Sequence, residues 1–380
     1  MKIQHVLLGV IVLATSAFAG DLNPPAGPIA PTPGPEPRTA INPVNTPGDA
    51  NSVFRISSPG SYYLTGSVTG VAAKNGIKIE ASNVTLDLMG FELVGVAGSL
   101  DGLLVSGLQT GLSVHNGSAH SWGTDGIDMI NASGSTIFQV RSIGNSGIGI
   151  RVGSACIVRE CQALSNSSSG IVTGNRSAIT RCTAQGNGAG GGGNGITTSN
   201  DCTISECVAC SNGSGPSGGS GINAGSSNTI IGCAASANGT GADFSNDGIV
   251  TSSGTLVANC TTASNSGDGI QVQQRCIVIG NISIGNGFLF GTGAAIHATG
   301  SDNRIEGNNC IISVRGIDVD AAGNIIIRNT CSGNTTNWDI VANNVCGPIL
   351  DRRSPGSAAI LGDSAPSSLG TTDANANFTY

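Results

Sequence analysis

The sequence predicts an all-β parallel solenoid, a chain coiled into stacked turns of short strands. Three observations predict it: a repeat of 21 to 27 residues, apolar residues that alternate within each repeat, and columns of like side chains at fixed positions of successive repeats. The composition agrees, because 59 of the 380 residues are glycine and only 10% are charged. Such a chain suits short strands joined by tight turns better than helices or disorder.

Each repeat is marked by an apolar anchor residue that follows glycine or alanine. The anchors are Ile77, Leu103, Ile127, Ile150, Ile171, Ile196, Ile222, Ile249, Ile270, Ile296 and Ile317. Apolar residues then alternate, as in Ile150 and Val152, with the period of two that is typical of strands. One strand-turn-strand-turn-strand circuit per repeat, stacked about 4.8 Å from the next, fits this pattern and predicts about 11 or more turns.

A column of asparagines is the most informative feature of the repeat. Its members are Asn145, Asn166, Asn187, Asn212, Asn238, Asn265, Asn286 and Asn334, with Ser313 in the corresponding place before the last of them. A buried asparagine at the same point of every turn can bond the local backbone and the asparagine of the next turn, which satisfies its amide. The column therefore predicts an asparagine ladder at a tight corner.

A second column holds cysteine in five successive repeats and asparagine in the next three. Its members are Cys161, Cys182, Cys207, Cys233, Cys260, Asn281, Asn308 and Asn329. Parallel side chains about 4.8 Å apart exceed the usual Cβ separation of a disulfide, so buried reduced thiols are favoured. Bridges among some cysteines are the alternative, with Cys310 and Cys331 the best pair. The CxxC spacing of Cys207 and Cys210 stands alone, so no metal site is predicted.

The two ends of the chain differ from the repeat. Residues 1–19 combine Lys2, an apolar run and a small-residue cleavage site, the pattern of a secretory signal peptide. Residues 20–50 are proline-rich and predict an extended arm that acts as a linker or covers the first turn. The solenoid is assigned to residues 51–350 and a tail, whose aromatic end could dock on the coil, to residues 351–380. We expect an exported protein without a membrane span, periplasmic, at the cell surface or secreted.

With these features, the chain resembles the secreted bacterial right-handed parallel β-helix repeat proteins of the pectin-lyase-like superfamily. The resemblance covers about residues 51–350 and includes "SPGSYYLTG" (58–66) and "SNVTLDLMGFEL" (82–93), which look like the first turns of that family. It implies a single-stranded, right-handed coil. The superfamily includes polysaccharide lyases and hydrolases, binding proteins and passive surface rods, so the fold alone does not select a function.

Insertions at one phase of the repeat predict loops that wall a groove along one side of the rod. They span residues 188–194, 213–220, 239–247 and 287–293. Phe244, Phe288 and Phe290 in these loops, together with Trp122, are candidates to stack on sugar rings, the alternative being that they cover loop backbone. The net charge of −7 argues against nucleic acid as a partner. The oligomeric state is not determined by the sequence.

The residue after each anchor is expected to face outward, and this outward column becomes polar near its C-terminal end. The polar residues expected there, on three adjacent turns, are Gln271, Gln273, His297, Arg315, Asp318 and Asp320. The two glutamines are predicted to bind glycan. Asp268 shares its place before the anchor glycine with serine and asparagine in other repeats, so it is interpreted as a turn residue.

The leading hypothesis is a protein that binds, or presents to, extracellular or cell-surface polysaccharide along one face, with no evident catalysis and no cofactor. A polysaccharide lyase is one alternative, because Asp318 and Asp320 could hold calcium and Arg315 could take a proton. His297 is then a further acid or base, the alternative being an exposed strand residue. The chain has no adjacent aspartates, which disfavours a hydrolase of the polygalacturonase kind. A structural surface rod or adhesin is the last alternative.

Overall fold

The protein is a parallel β-solenoid of about thirteen turns, with three strands to a turn. The computed structural model describes residues 38–239, 246–287, 291–351 and 372–380. The described residues from Arg38 onward form one compact unit. The described residues contain strands and turns but no helix, and hence no apolar helix of membrane-spanning length. The predicted all-β fold is therefore confirmed.

Face 1 is a separate sheet of thirteen strands, and it carries the anchors and the outward column. Its strands are Ser52–Ile56, Asn75–Ile79, Leu103–Val105, Ile127–Met129, Ile150–Val152, Ile171–Thr173, Ile196–Thr198, Ile222–Ala224, Ile249–Thr251, Ile270–Val272, Ala294–Ala298, Arg315–Val319 and Thr336–Ile340. All pair in parallel with the strand of the next turn, which keeps equivalent residues of successive repeats side by side.

Faces 2 and 3 belong to one 26-stranded sheet that bends at a corner. Face 2 holds Thr39–Ile41, Gly60–Leu64, Val84–Asp87, the first halves of Ser113–His120 and Thr136–Ile143, Ile157–Arg159, Ala178–Thr180, Thr203–Ser205, Thr229–Ile231, Leu256–Ala258, Ile277–Ile279, Arg304–Glu306, Ile325–Ile327 and Val345–Cys346. Face 3 holds Val68–Thr69, Glu92–Val94, the second halves of the two long strands, Gln162–Leu164, Thr183–Gln185, Val208–Cys210, Ala234–Ser236, Thr261–Ala263, Ile282–Ile284, Asn309–Ile311, Thr330–Ser332, Ile349–Asp351 and Asn377–Thr379. Gln109–Thr110 and Ala132–Ser133 form a small separate pair.

The predicted asparagine ladder runs through the corner between faces 3 and 1. The amide nitrogen of Asn187 donates to the Oδ1 of Asn212 at 2.9 Å, and Asn212 donates to Asn238 at 3.1 Å. The same oxygens also accept the backbone N–H of the preceding ladder residue. Glycine before the anchor makes room for this ladder, because a Cβ on Gly195 would lie 2.6 Å from the amide nitrogen of Asn212.

The cysteine column lies at the corner between faces 2 and 3 and fills it with buried thiols. Cys207 is 1% exposed, and its thiol donates to the backbone oxygens of Ser205 at 3.2 Å and Ile179 at 3.7 Å. All twelve cysteines are free thiols in the structure, including Cys310 and Cys331, which are partners on adjacent strands. The backbone N–H of Cys260 donates to the Oδ1 of Asn281 on the next turn. Thiols and amides therefore fill the same column.

Both ends of the coil are extended by segments that were assigned to the arm and the tail. Thr39–Ile41 pairs in parallel with Gly60–Leu64, so strand pairing begins before residue 51. Asn377–Thr379 of the tail inserts between Thr330–Ser332 and Ile349–Asp351. The predicted signal peptide and most of the proline-rich arm lie outside the described residues.

Candidate functional site

The parallel register brings the polar end of the outward column together. Gln271, His297, Asp318 and Asp339 are direct partners on four successive strands of face 1. The sequence predicted the first three of these positions. Because strands of one parallel sheet lie about 4.8 Å apart, neighbouring side chains of this column are within contact distance.

His297 lies between carboxylates on both sides of its imidazole ring. Its Nδ1 is 2.8 Å from the Oδ2 of Asp268, and its Nε2 is 3.0 Å from the Oδ2 of Asp320. The Oδ2 of Asp318 is 3.7 Å from the same Nε2. The side chain is only 17% exposed, so these contacts are formed in a partly dehydrated site where charge interactions are strong.

The carboxylates keep His297 protonated at neutral pH. Burial by itself lowers the pKa of the imidazole, but the hydrogen bond and charge of Asp268, followed by Asp320 and Asp318, outweigh it and raise the pKa to about 9. A protonated imidazole donates from both nitrogens, which matches its two carboxylate partners. His297 is therefore a half-buried cation held between carboxylates and not the exposed strand residue of the simpler prediction.

Arg315 and Asp318 form the second ion pair of the site. The Nη1 of Arg315 donates to the Oδ2 of Asp318, and its Nε is 3.7 Å from the Oδ2 of Asp339. Asp318 is 2% exposed, and burial raises the pKa of its carboxyl, although the charges of His297 and Arg315 oppose that shift. Arg315 thus forms ion pairs with carboxylates of the protein, and these ion pairs lower its availability as a base.

Asp268 belongs to this site, and its interpretation as a turn residue covers only half of its contacts. Its Oδ1 does hold the turn, because it accepts the N–H of Ala294 at 2.6 Å. Its Oδ2, however, accepts from Gln271 at 3.2 Å and faces His297. The signal that could have found it is a charge pattern: an aspartate before one anchor glycine and a histidine in the outward column one turn later.

Asp247 lies one turn before Asp268 and is the most deeply buried acid of this edge after Asp318. Its Oδ1 accepts the N–H of Asp268 at 2.7 Å. Burial, followed by the negative charge of Asp268, raises the pKa of its carboxyl to about 7. Asp247 is therefore partly protonated at neutral pH, which limits the negative charge that accumulates along this edge.

Two adjoining clefts form a groove along face 1. A cleft of about 270 Å3 lies against Asp268, His297 and Arg315, and a larger one of about 530 Å3 continues along Asn223 and Val250. Gln271 lines both. The larger cleft is walled by residues 191–193 and 217–220, which belong to two of the predicted insertions. We name the two clefts together the loop-walled groove.

Of the aromatic residues predicted to stack on sugars, Trp122 is the one that lies among the described residues. Trp122 is 0% exposed, and its indole N–H donates to the backbone oxygen of Leu93 at 2.9 Å. Its ring packs against Gly70 and Gly76 inside the coil, where a Cβ would be within 2.9 Å of it. The prediction of a sugar-stacking Trp122 is therefore wrong. Phe244, Phe288 and Phe290 lie outside the described residues, and Gln273 is exposed but lines neither cleft.

Three side chains of the site could each offer one ligand atom to a metal ion. These atoms of His297, Asp318 and Asp320 lie within 4.8 Å of one another. The electrostatics oppose such an ion, because the guanidinium of Arg315 already binds Asp318 and a protonated imidazole offers no lone pair. Calcium in addition prefers six to eight oxygen ligands, and this set supplies carboxylates from only two residues beside a histidine.

Comparison with known proteins settles the fold. No protein-family profile matches the chain, and no curated protein matches it in sequence. Among solved structures, the A-module of a mannuronan C-5 epimerase from Azotobacter vinelandii superposes with a TM-score of 0.58 and 17% identity, covering 76% of this chain and 89% of that one. The tailspike protein of Escherichia coli bacteriophage HK620 superposes with a TM-score of 0.50 and 13% identity, covering 77% and 64%.

The chain has the right-handed parallel β-helix fold. The fold that the sequence predicted is therefore confirmed. At these identities the likeness establishes the architecture and its handedness alone.

Proposed function

We propose that this β-helix binds a polysaccharide in the loop-walled groove. The observation that carries the proposal is the continuity of the groove: Gln271 joins the cleft beside His297 to the larger cleft between the loops. An extended groove over several turns suits a linear chain better than a compact ligand. The name of one similar structure agrees with a carbohydrate ligand, since that protein is a mannuronan C-5 epimerase.

The lining of the groove supports hydrogen bonding to sugar hydroxyls. Asn223 and Gln271 present amides that both donate and accept, and the loops at 191–193 and 217–220 add glycine and serine backbone. Each neutral hydrogen bond contributes only about 0.5–1.5 kcal/mol net, so affinity is built from many contacts along the chain. An exported, surface-exposed location would place this groove where such polysaccharides occur.

The test is binding of purified protein to a panel of neutral and acidic polysaccharides, measured by isothermal titration calorimetry. The variants Asn223→Ala and Gln271→Ala each remove one amide from the groove. Each should weaken binding, and the two losses together should amount to roughly tenfold or more. The matched control is Gln185→Ala, which removes an exposed amide from face 3. Failure of the wild type to bind any polysaccharide, or equal binding by all three variants, would remove the proposal.

A lyase remains the second candidate function, because His297, Arg315 and Asp318 converge on two adjacent strands. The geometry favours it less than binding, since both bases are held as cations by carboxylates of the protein. Release of unsaturated uronates, followed by absorbance with and without calcium, decides between the two. A signal that disappears in His297→Gln would replace binding by catalysis as the function of the groove.

A further inference from the structure

The charges of face 1 show a pattern that bears on which polysaccharide the groove accepts. Every cation of the outward column from Lys78 to Asp318 contacts two carboxylates of the protein. Lys78 contacts Asp49 at 2.5 Å and Glu80 at 2.8 Å. Arg151 is within 3.8 Å of Asp125 and Asp128. His297 follows the same rule with Asp268 and Asp320.

The loop-walled groove is lined by two acidic and two basic residues, and further carboxylates contact the basic ones. The charged residues that line it are Asp247, Asp268, His297 and Arg315. Both cations are shared with further carboxylates at the rim, Asp320 and Asp339, whose side chains are 55% and 57% exposed. The field that a ligand meets is therefore neutral along the loops and negative beside His297.

We infer that the groove selects an uncharged polysaccharide and rejects polyuronates. The inference rests on the proposed binding function and names its ligand class. A uronate carboxylate is held best by a bidentate arginine or a free ammonium group, and Arg315 already directs its Nη1 and Nε to Asp318 and Asp339. A bound polyuronate would place its charges against Asp268 and Asp320 with no cation left to receive them.

Hydrogen-bond chemistry favours hydroxyl groups in the same place. A hydroxyl donates as well as accepts, so it can donate to the carboxylate oxygens of Asp320 and accept from the amides of Asn223 and Gln271. A carboxylate only accepts, and it meets acceptors beside His297. The glycines at 191–193 and 218–219 bring backbone into the wall without side chains, which leaves room for sugar rings to lie flat against it.

The experiment compares wild-type affinities at low ionic strength for galactomannan, xyloglucan and mixed-linkage β-glucan with those for polygalacturonate and alginate. At least one neutral polymer should bind ten times more tightly than either polyuronate. The double variant Asp320→Asn with Asp339→Asn neutralises the exposed carboxylates that contact His297 and Arg315. Its affinity for a polyuronate should rise at least tenfold, and the gain should vanish at high salt because exposed charges are screened.

Glu92→Gln, which neutralises an exposed carboxylate on face 3, is the matched control and should change neither affinity. Equal or tighter binding of a polyuronate by the wild type overturns the inference but leaves the proposed function standing. Failure of the double variant to gain polyuronate affinity overturns the charge explanation, and with it the inference. Absence of binding to every polymer overturns the proposed function itself.

Discussion

At the scale of single residues, one histidine shows how neighbours set a side chain's chemistry. His297 occupies an ordinary outward strand position, yet Asp268, Asp318 and Asp320 surround it and raise its pKa to about 9 from 6.5. The side-chain amide of Gln271 in turn donates to Asp268, one of these carboxylates. The proton is therefore part of the folded structure, because it links carboxylates that would otherwise repel one another.

The stability of the protein should depend on pH through this proton. A pKa raised by folding stabilises the protein fully below about pH 6.5, and the contribution is lost as the pH rises through about 9. The shift corresponds to roughly 3 kcal/mol. His297→Gln should thus be destabilised most at pH 6, and the gap to the wild type should shrink towards pH 10 in denaturant unfolding.

The control for this experiment is a histidine on another face. His120→Gln removes a side chain whose Nε2 is 3.5 Å from Glu92 on face 3. Its difference from the wild type should not follow the same pH profile. A gap for His297→Gln that stays constant from pH 6 to pH 10 would contradict the ion-pair account.

At the scale of structural elements, the ladder explains how a chain of three-residue strands holds a register. The residue before each ladder asparagine adopts a left-handed conformation, with φ 53° at Ser165 and 54° at Ser211. That conformation is unfavourable for residues other than glycine. The hydrogen bonds of Asn166 and Asn212 across turns stabilise it, so the corner and the ladder support each other.

Replacing one ladder residue tests this mutual support. Asn212→Leu removes the acceptor shared by the side-chain amide and the N–H of Asn187, and it removes one donor to the backbone oxygen of Ala184. Buried unsatisfied groups cost about 1–3 kcal/mol each, so the free energy of unfolding should fall by at least that amount. Asn223→Leu, at an exposed position of face 1, should change it by less than about 0.5 kcal/mol. Equal thermal midpoints for the two variants would contradict a stabilising ladder.

At the scale of the whole molecule, the C-terminal tail completes the coil. Asn377 extends the column of Asn281, Asn308 and Asn329, and its Oδ1 accepts the N–H of Asn329 at 2.9 Å. Thr379 accepts from the indole of Trp338 at 2.8 Å. The tail thus supplies the strand that the next turn would have supplied, and it covers the edge of Thr330–Ser332, which would otherwise be open to another chain.

Removing this cap should loosen the C-terminal end of the rod. Asn377→Ala removes the acceptor of the Asn329 N–H and the side-chain donor to the backbone oxygens of Ile326 and Gly347. We expect a loss of about 1–3 kcal/mol in unfolding free energy, together with concentration-dependent self-association in light scattering. Asn375→Ala changes an exposed asparagine two residues away and serves as the control. Similar stability and mass for both variants would show that the tail does not act as a cap.

The sequence by itself determined the coil, the ladder and the outward column. In a solenoid each turn contacts its neighbours in the same register, so a repeating pattern such as Asn187, Asn212 and Asn238 states directly which residues stack. The positions of Gln271, His297 and Asp318 on adjacent strands followed from the same rule. Spacing along the chain contains this information, because residues one repeat apart occupy equivalent positions on neighbouring turns.

Only the tertiary structure decided which side chains of different columns contact one another. Asp268 and His297 belong to different columns, and their contact depends on the width of a corner, which spacing does not encode. Trp122 turns into the coil because Gly70 and Gly76 leave space there. From the sequence, its aromatic side chain alone had suggested a surface site. The docking of Asn377 joins residues 48 apart in sequence, outside the period of the repeat. Lateral packing is a three-dimensional property, and it created the groove on which the proposed function rests.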